Sequence, residues 1–284
     1  MYQAGLILEG GGMKGFYTAG VLDFFLDKKI EFSSVYGVSA GACHMTSYLS
    51  KQRGRSYKVC SEYLDTKRYC GIYSLLTTGD LFHPSIAYDL VPRYLAPFDY
   101  EEYKRYPGKA YAVCTDVRTG KPVYFLIEDV DRDMEKIRAS ASLPLVSRNV
   151  PIEGGLYLDG GISDAIPLRR SVEDGNRKNV VIMTKEVGYV RKPVSAATMA
   201  MVRVRYLAYP KMIELMRHRK EMYDGTLRFI EEQEREGRAF VIRPRVGSDV
   251  ARIEKDEKKL RALYEQGYRE AEEQYDALMK FLAE

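Results

Sequence analysis

Histidine and pairable cysteine are the scarce residues of this 284-residue chain. It has three histidines, His44, His83 and His218, and four cysteines, Cys43, Cys60, Cys70 and Cys114. The cysteines show no CxxC spacing and, with so few histidines, form no metal-ligand set. Reduced thiols in a cytoplasmic protein are the expected state, although Cys60 and Cys70 could pair. Neither a metal nor a cofactor is called for. No stretch approaches the roughly 18 uninterrupted apolar residues of a membrane-spanning helix. Met1-Tyr2-Gln3 leads directly into a strand-like run, so no signal peptide is expected. Excess charge is lacking too: 44 basic and 40 acidic side chains leave a net +4, which argues against a nucleic-acid partner. What remains, 45% hydrophobic and 30% charged, is ordinary for a globular protein long enough for one large α/β domain with a helical appendage.

The chain opens with strand, glycine-rich turn, helix, strand, turn and helix. Gly5 to Glu9 reads as a buried strand, Phe16 to Lys28 as a helix with Val21, Leu22, Phe25 and Leu26 on its apolar face, and Phe32 to Tyr36 as a second strand. This alternation predicts a parallel sheet with crossover helices. From Tyr48 to Tyr106 the chain is irregular, rich in tyrosine and interrupted by Pro84, Pro92 and Pro97, as expected of a cap over a site. Its tyrosines either line a channel to that site or simply pack the cap. Ala110–Val117 and Pro122–Ile127 read as strands joined at Thr119-Gly120, Arg132–Ser142 as a helix, and Asn179–Thr184 as a strand. Beyond Ser195 charged helical patterns dominate, over 196–206, 211–236 and 255–281, with one β-like run at 239–243. A boundary near 192 divides a domain of residues 1–192 from a mainly helical extension of residues 193–284.

Two glycine-bearing turns carry the chemistry. Gly37-Val38-Ser39-Ala40-Gly41 places a serine between a strand and a helix, where flanking glycines permit a strained turn and the helix N-terminus favours developing negative charge. Gly10-Gly11-Gly12-Met13-Lys14-Gly15 offers consecutive unobstructed amides opening onto a helix, a cradle for an anion or an oxyanion. It also satisfies GxGxxG, but the next strand ends in the serine turn rather than a ribose-gripping acid, and Phe16 stands where a P-loop needs lysine. Asp159-Gly160-Gly161 follows an apolar run. It reads either as a plain turn or as a carboxylate able to take a serine proton directly. A triad would need a histidine beside the serine. On one helix His44 points about 140° away from Ser39, given about 100° per residue. His83 lies in the irregular region, and His218 is most simply a surface residue. A Ser–Asp dyad is the economical alternative.

With Ala139-Ser140-Ala141-Ser142-Leu143-Pro144, these motifs resemble, in order and context, those of the patatin-like phospholipase family over about residues 5–184. The four correspond to its GGGxxG oxyanion loop, its nucleophile elbow, its ASxxxP segment and its DGG motif. The run from Asp159 to Pro167 is similar to the bacterial subgroup with an added C-terminal helical region. Asp164 stands where many relatives carry asparagine and is read as serving loop structure. The resemblance implies a three-layer α/β/α sandwich with a mainly parallel central sheet. It further implies acyl transfer in which Ser39 attacks an ester carbonyl, Asp159 takes its proton, and amides of the Gly10–Gly15 loop, Gly11, Gly12 and Met13 among them, hold the oxyanion.

The implied substrate is a lipid or other acyl ester. Residues 198–220 interleave Arg203, Arg205, Lys211, Arg217, Arg219 and Lys220 with methionines and leucines. Two readings follow: peripheral contact with an anionic membrane, or an ordinary helix pair, divided at Pro210, with its apolar face on the core. The last helix packs the core or makes a dimer contact. The rival functions are a carboxylesterase or thioesterase for soluble acyl groups and a non-catalytic lipid-binding regulator.

Overall fold

A computed structural model of the chain describes residues 1–63 and 69–283, so residues 64–68 of the irregular region lie outside the description. Among the described residues, eight strands form one sheet: β1 (Tyr2–Leu8), β2 (Phe32–Val38), β3 (Lys109–Asp116), β4 (Pro122–Leu126), β5 (Val150–Ile152), β6 (Gly155–Asp159), β7 (Asn179–Ile182) and β8 (Ala239–Ile242). Pairing runs β5-β6-β3-β2-β1-β7-β8, with β4 also on β3. Strands β3, β2, β1, β7 and β8 are parallel neighbours; β4, β5 and β6 are antiparallel additions.

Side chains alternate across a strand, so the inner strands fill two cores. Leu6, Leu8, Val180 and Ile182 face one core, whereas Ile7, Val181 and Met183 face the other. Helices cover both faces. On the first lie α1 (Phe16–Asp27), α2 (Ala40–Leu49), α3 (Arg55–Glu62), α5 (Tyr100–Lys104) and α6 (Val130–Ser140), with the largely exposed α4 (Ile72–Thr78) between α3 and α5 in the chain. On the second lies α7 (Leu168–Glu173). The chain then forms α8 (Ala196–Arg205), α9 (Pro210–Arg217), α10 (Arg219–Arg235), α11 (Glu257–Glu273) and α12 (Tyr275–Ala283). The architecture is the expected three-layer sandwich with a mainly parallel sheet and a mainly helical C-terminal region.

That C-terminal region shares the core. β8 extends the sheet beside β7, α10 supplies Tyr223 and Ile230 to the second face, and α11 lies on α1. The α1–α11 crossing is close because both helices carry glycine there. A Cβ at Gly20 would sit 2.0 Å from the Tyr264 carbonyl oxygen, and one at Gly267 would sit 2.1 Å from that of Tyr17. Tyrosine-to-carboxylate bonds flank the contact, Tyr17 to Glu270 at 2.8 Å and Tyr264 to Asp23 at 2.6 Å.

Three local expectations are corrected. The irregular stretch contains short helices and a π-helical segment, Ile86–Leu95, with Pro92 inside it and the Ala96 amide reaching back to the Val91 carbonyl. A wide turn of this kind accommodates a residue that has no N–H to donate. The helix expected over 211–236 is broken at His218, and that over 255–281 at Gln274.

Candidate active site

The pairing of β3 dictates where the key residues meet. β4 pairs with Tyr111–Thr115 on one side, so the partners of Val113 and Cys114 on the other side form a single line. β2 occupies that line as far as Val38 opposite Val113, and β6 arrives antiparallel with Asp159 opposite Cys114. Two strands therefore end head to head. Ser39 leaves one end and Asp159 closes the other. Ser39 Oγ donates to Asp159 Oδ2 at 2.6 Å, and both residues are buried.

The elbow is strained and held. Ser39 has φ +56° and ψ −124°, a conformation non-glycine residues rarely adopt. Its amide donates to Ser140 Oγ at 3.0 Å, and that hydroxyl donates to the Val113 carbonyl at 2.6 Å. Gly37 and Gly41 leave space for the turn: Cβ atoms there would lie 2.6 Å from Ala42 Cα and from the Leu8 carbonyl oxygen. Val38 is fully buried, and Ala40 opens α2 beside the site. Asp159 is fixed by two further bonds, its amide to the Ser142 carbonyl at 2.8 Å and its Oδ1 from the Gly161 amide at 2.7 Å. Burial raises the carboxyl above its usual range; the bonds from Ser39 and Gly161 and the charges of Arg219 and Arg252 oppose that rise. Gly160 backs onto the Val113 carbonyl.

The glycine loop follows β1 at the same edge of the sheet. Gly10 packs on Ser39 Cβ, and its carbonyl accepts from Thr184 Oγ1. Buried Glu9 anchors the loop, accepting from the Thr184 amide at 2.6 Å and the Tyr223 hydroxyl at 2.7 Å. Gly12 takes φ +58°. The Gly11 and Gly12 amides have no acceptor among the described residues, but two other amides expected as donors are engaged: Met13 donates to the Arg252 carbonyl at 3.1 Å and Lys14 to that of Gly11 at 3.3 Å. Gly15 makes room for His44, whose Nε2 would be 2.7 Å from a Cβ there.

No histidine bonds to Ser39 among the described residues. Burial brings His44 down to about 4, so it is neutral near pH 7, and His218 is exposed. Burial also pushes the neighbouring Cys43 thiol up to about 12, leaving it protonated. Ser39 opens into an apolar cavity, partly open to solvent, with Phe16, Val59, Tyr69, Phe82, Tyr88 and Leu143 in its wall. Tyr69 and Tyr88 are thus the cap tyrosines that line it, while Tyr48 and Tyr103 bond to the Ile30 and Ile127 carbonyls.

Several contributors had roles the sequence did not assign. Ser140 and Ser142 lie in the ASxxxP segment already singled out, but they act through the fold on residues far away in sequence. Arg219, read as part of a surface basic stretch, donates to the Gly161 carbonyl at 2.9 and 3.2 Å. The apolar side of 198–220 packs inward, with Met199, Val202, Met212 and Met216 buried against Leu158 and Ile162; Met201, Val204 and Leu207 stay exposed. Asp164 is half-buried, accepts from the Tyr124 hydroxyl at 2.7 Å and has its carboxyl raised by desolvation.

The site thus joins a serine–aspartate contact at the ends of two strands to an apolar cavity within an α/β/α sandwich. The chain belongs to the patatin-like phospholipase family, whose model matches residues 6–170. In general terms it is therefore a lipid hydrolase. Residues 209–283 match a domain of unknown function, DUF6363. The uncharacterized protein YjjU of Escherichia coli (strain K12) is 28% identical over 246 residues, spanning 84% of this chain and 68% of that protein. VipD from Legionella pneumophila has a similar fold, with a TM-score of 0.54 at 12% identity over 100% of this chain and 67% of its own. No helix among the described residues is long and apolar enough to cross a membrane.

Proposed function

We propose that the chain is a serine acylhydrolase working through a Ser39–Asp159 dyad on acyl esters of lipids. The observation that carries this reading is the 2.6 Å contact between the Ser39 hydroxyl and a buried carboxylate, with no histidine bonded to the serine among the described residues. Asp159 takes the hydroxyl proton as Oγ attacks the ester carbonyl. The Gly11 and Gly12 amides receive the oxyanion, and the alcohol departs with the proton. Water then cleaves the acyl-enzyme with Asp159 again as base. The elevated carboxyl suits this role, since a stronger base takes the proton more readily. The apolar wall of the cavity favours a long acyl chain over a small soluble one.

Ser39→Ala should abolish hydrolysis of p-nitrophenyl acyl esters and labelling by a fluorophosphonate, with an unchanged circular-dichroism spectrum. Undiminished turnover in that variant would remove the dyad. A rate that falls as the acyl chain lengthens from four to sixteen carbons would favour the soluble-ester alternative.

A further inference from the structure

Next to the dyad stand three arginines, Arg191, Arg219 and Arg252, and the carboxylate closest to hand, Asp159, is a single charge against them. Arg219 Nη2 and Asp159 Oδ1 lie 3.9 and 3.0 Å from the point a Cβ of Gly161 would occupy. Arg191 lies flat on the Tyr223 ring, 4.0 Å from its centroid, and its Nε is buried without an acceptor. The Arg252 side chain rests on Gly12, with Cγ 2.9 Å from where a Cβ would be. None of the three has an ion-pair partner among the described residues. The cations strain one another. Burial, with Arg191 and Arg252 nearby, brings Arg219 down to about 10, and Lys185 is depressed by burial with Lys14, Arg191 and Arg252 adding to it. Glu9, the carboxylate opposing Lys185, already accepts from Thr184 and Tyr223. Arg191 and Arg219 line a small recess, partly open to solvent, between the 161–165 turn and α10, and it shares no lining residue with the acyl cavity. Like charges held together in a small recess are unfavourable until an anion joins them.

We propose that this recess receives the phosphate of a net-anionic lipid head group, so that Arg191 and Arg219, which line it, and the nearby charge of Arg252 select phosphomonoester or other net-anionic acyl lipids over zwitterionic ones. The proposal rests on the acylhydrolase reading for its substrate, but the three arginines lie outside residues 6–170, and Arg219 and Arg252 lie in the 209–283 stretch that matches DUF6363. A phosphate gains charge-assisted bonds from the guanidinium groups. A choline or ethanolamine ammonium finds no free carboxylate beside them.

Two measurements test it on the intact chain. Calorimetric titration should show glycerol 3-phosphate binding and glycerophosphocholine not binding, with Arg191→Gln and Arg252→Gln each weakening the former about tenfold or more. In matched mixed micelles, kcat/KM should favour lysophosphatidic acid over lysophosphatidylcholine, and that ratio should fall about tenfold or more in each variant. Absent glycerol 3-phosphate binding, or binding unchanged in both variants, overturns the proposal whether or not the protein is active. Binding of inorganic phosphate with an unaltered lipid ratio overturns the head-group assignment in favour of a free-anion site. Loss of all ester hydrolysis in the wild type counts against the acylhydrolase reading alone, because the titration does not depend on turnover.

Discussion

Replacing Ser140 with alanine tests whether the strained serine turn is held from outside. The Ser140 hydroxyl accepts from the Ser39 amide at 3.0 Å and donates to the Val113 carbonyl at 2.6 Å, and the residue is fully buried. Its removal leaves the Ser39 N–H, a buried donor, unpaired, at about 1–3 kcal/mol, and removes a second bond worth about 1 kcal/mol. The loss of stability is then about 2–4 kcal/mol. At roughly 2 °C per kcal/mol for a chain of this size, the melting temperature should fall by about 4–8 °C. The kinetic effect should be larger than a general loosening would give. A turn at φ +56° stores of the order of 1–3 kcal/mol and relaxes when its brace goes. A shift of about 1 Å in Oγ then lowers kcat by about 100-fold, while KM changes little because Ser140 does not line the acyl cavity. Differential scanning fluorimetry and the rate of fluorophosphonate inactivation read the two effects separately. Wild-type values for both would refute the argument and show that the turn is maintained by its own glycines.

Four further outcomes are expected. Activity should rise with pH as Asp159 loses its proton, with a midpoint above the ordinary carboxylate value of about 3.9; a limb at or below that value would contradict the burial argument. Because Arg219 favours the charged carboxylate, Arg219→Gln should move the midpoint further up. Gly267→Ala drives a Cβ to 2.1 Å from the Tyr17 carbonyl oxygen and should cost about 3 kcal/mol or more, read as loss of a cooperative melt. We propose peripheral membrane contact through 198–220, where Met201, Val204 and Leu207 are exposed beside Arg203 and Arg205; flotation with anionic liposomes should weaken at high salt and in Val204→Asp, and equal flotation in both would point to another surface.

The sheet was legible in the sequence where the signal is local. β1, β2, β3 and β7 are short apolar or β-branched runs, and their glycine turns announce a change of direction, so strands and turns fall within a few residues of expectation. The helix breaks at His218 and Gln274 were not, because charged helical periodicity continues through both. Among site residues, the head-to-head meeting of β2 and β6 explains why two motifs 120 residues apart converge, which only β-pairing decides. The Met13 amide was mistaken for a free donor because its acceptor, the Arg252 carbonyl, is backbone, and any residue type would supply one. Arg219 read as part of a basic helix face for a similar reason: burial of an arginine is a property of its surroundings.

The close crossing of Gly20 and Gly267 also sets a schedule for the protein's synthesis. Helix α1 is among the first elements made, yet the surface that covers it arrives with α11, and the Arg252 carbonyl that fixes Met13 arrives just before. Until about residue 275 has left the ribosome, Phe24 and its neighbours lack their lid of Tyr268 and Tyr275. A nascent chain carrying all four sequence motifs should therefore be unreactive. Ribosome-stalled chains ending at 192 should resist fluorophosphonate labelling, and those with residues 1–283 free of the exit tunnel should accept it. The enzyme would thus stay silent towards the cell's own lipids throughout translation, without any separate inhibitor.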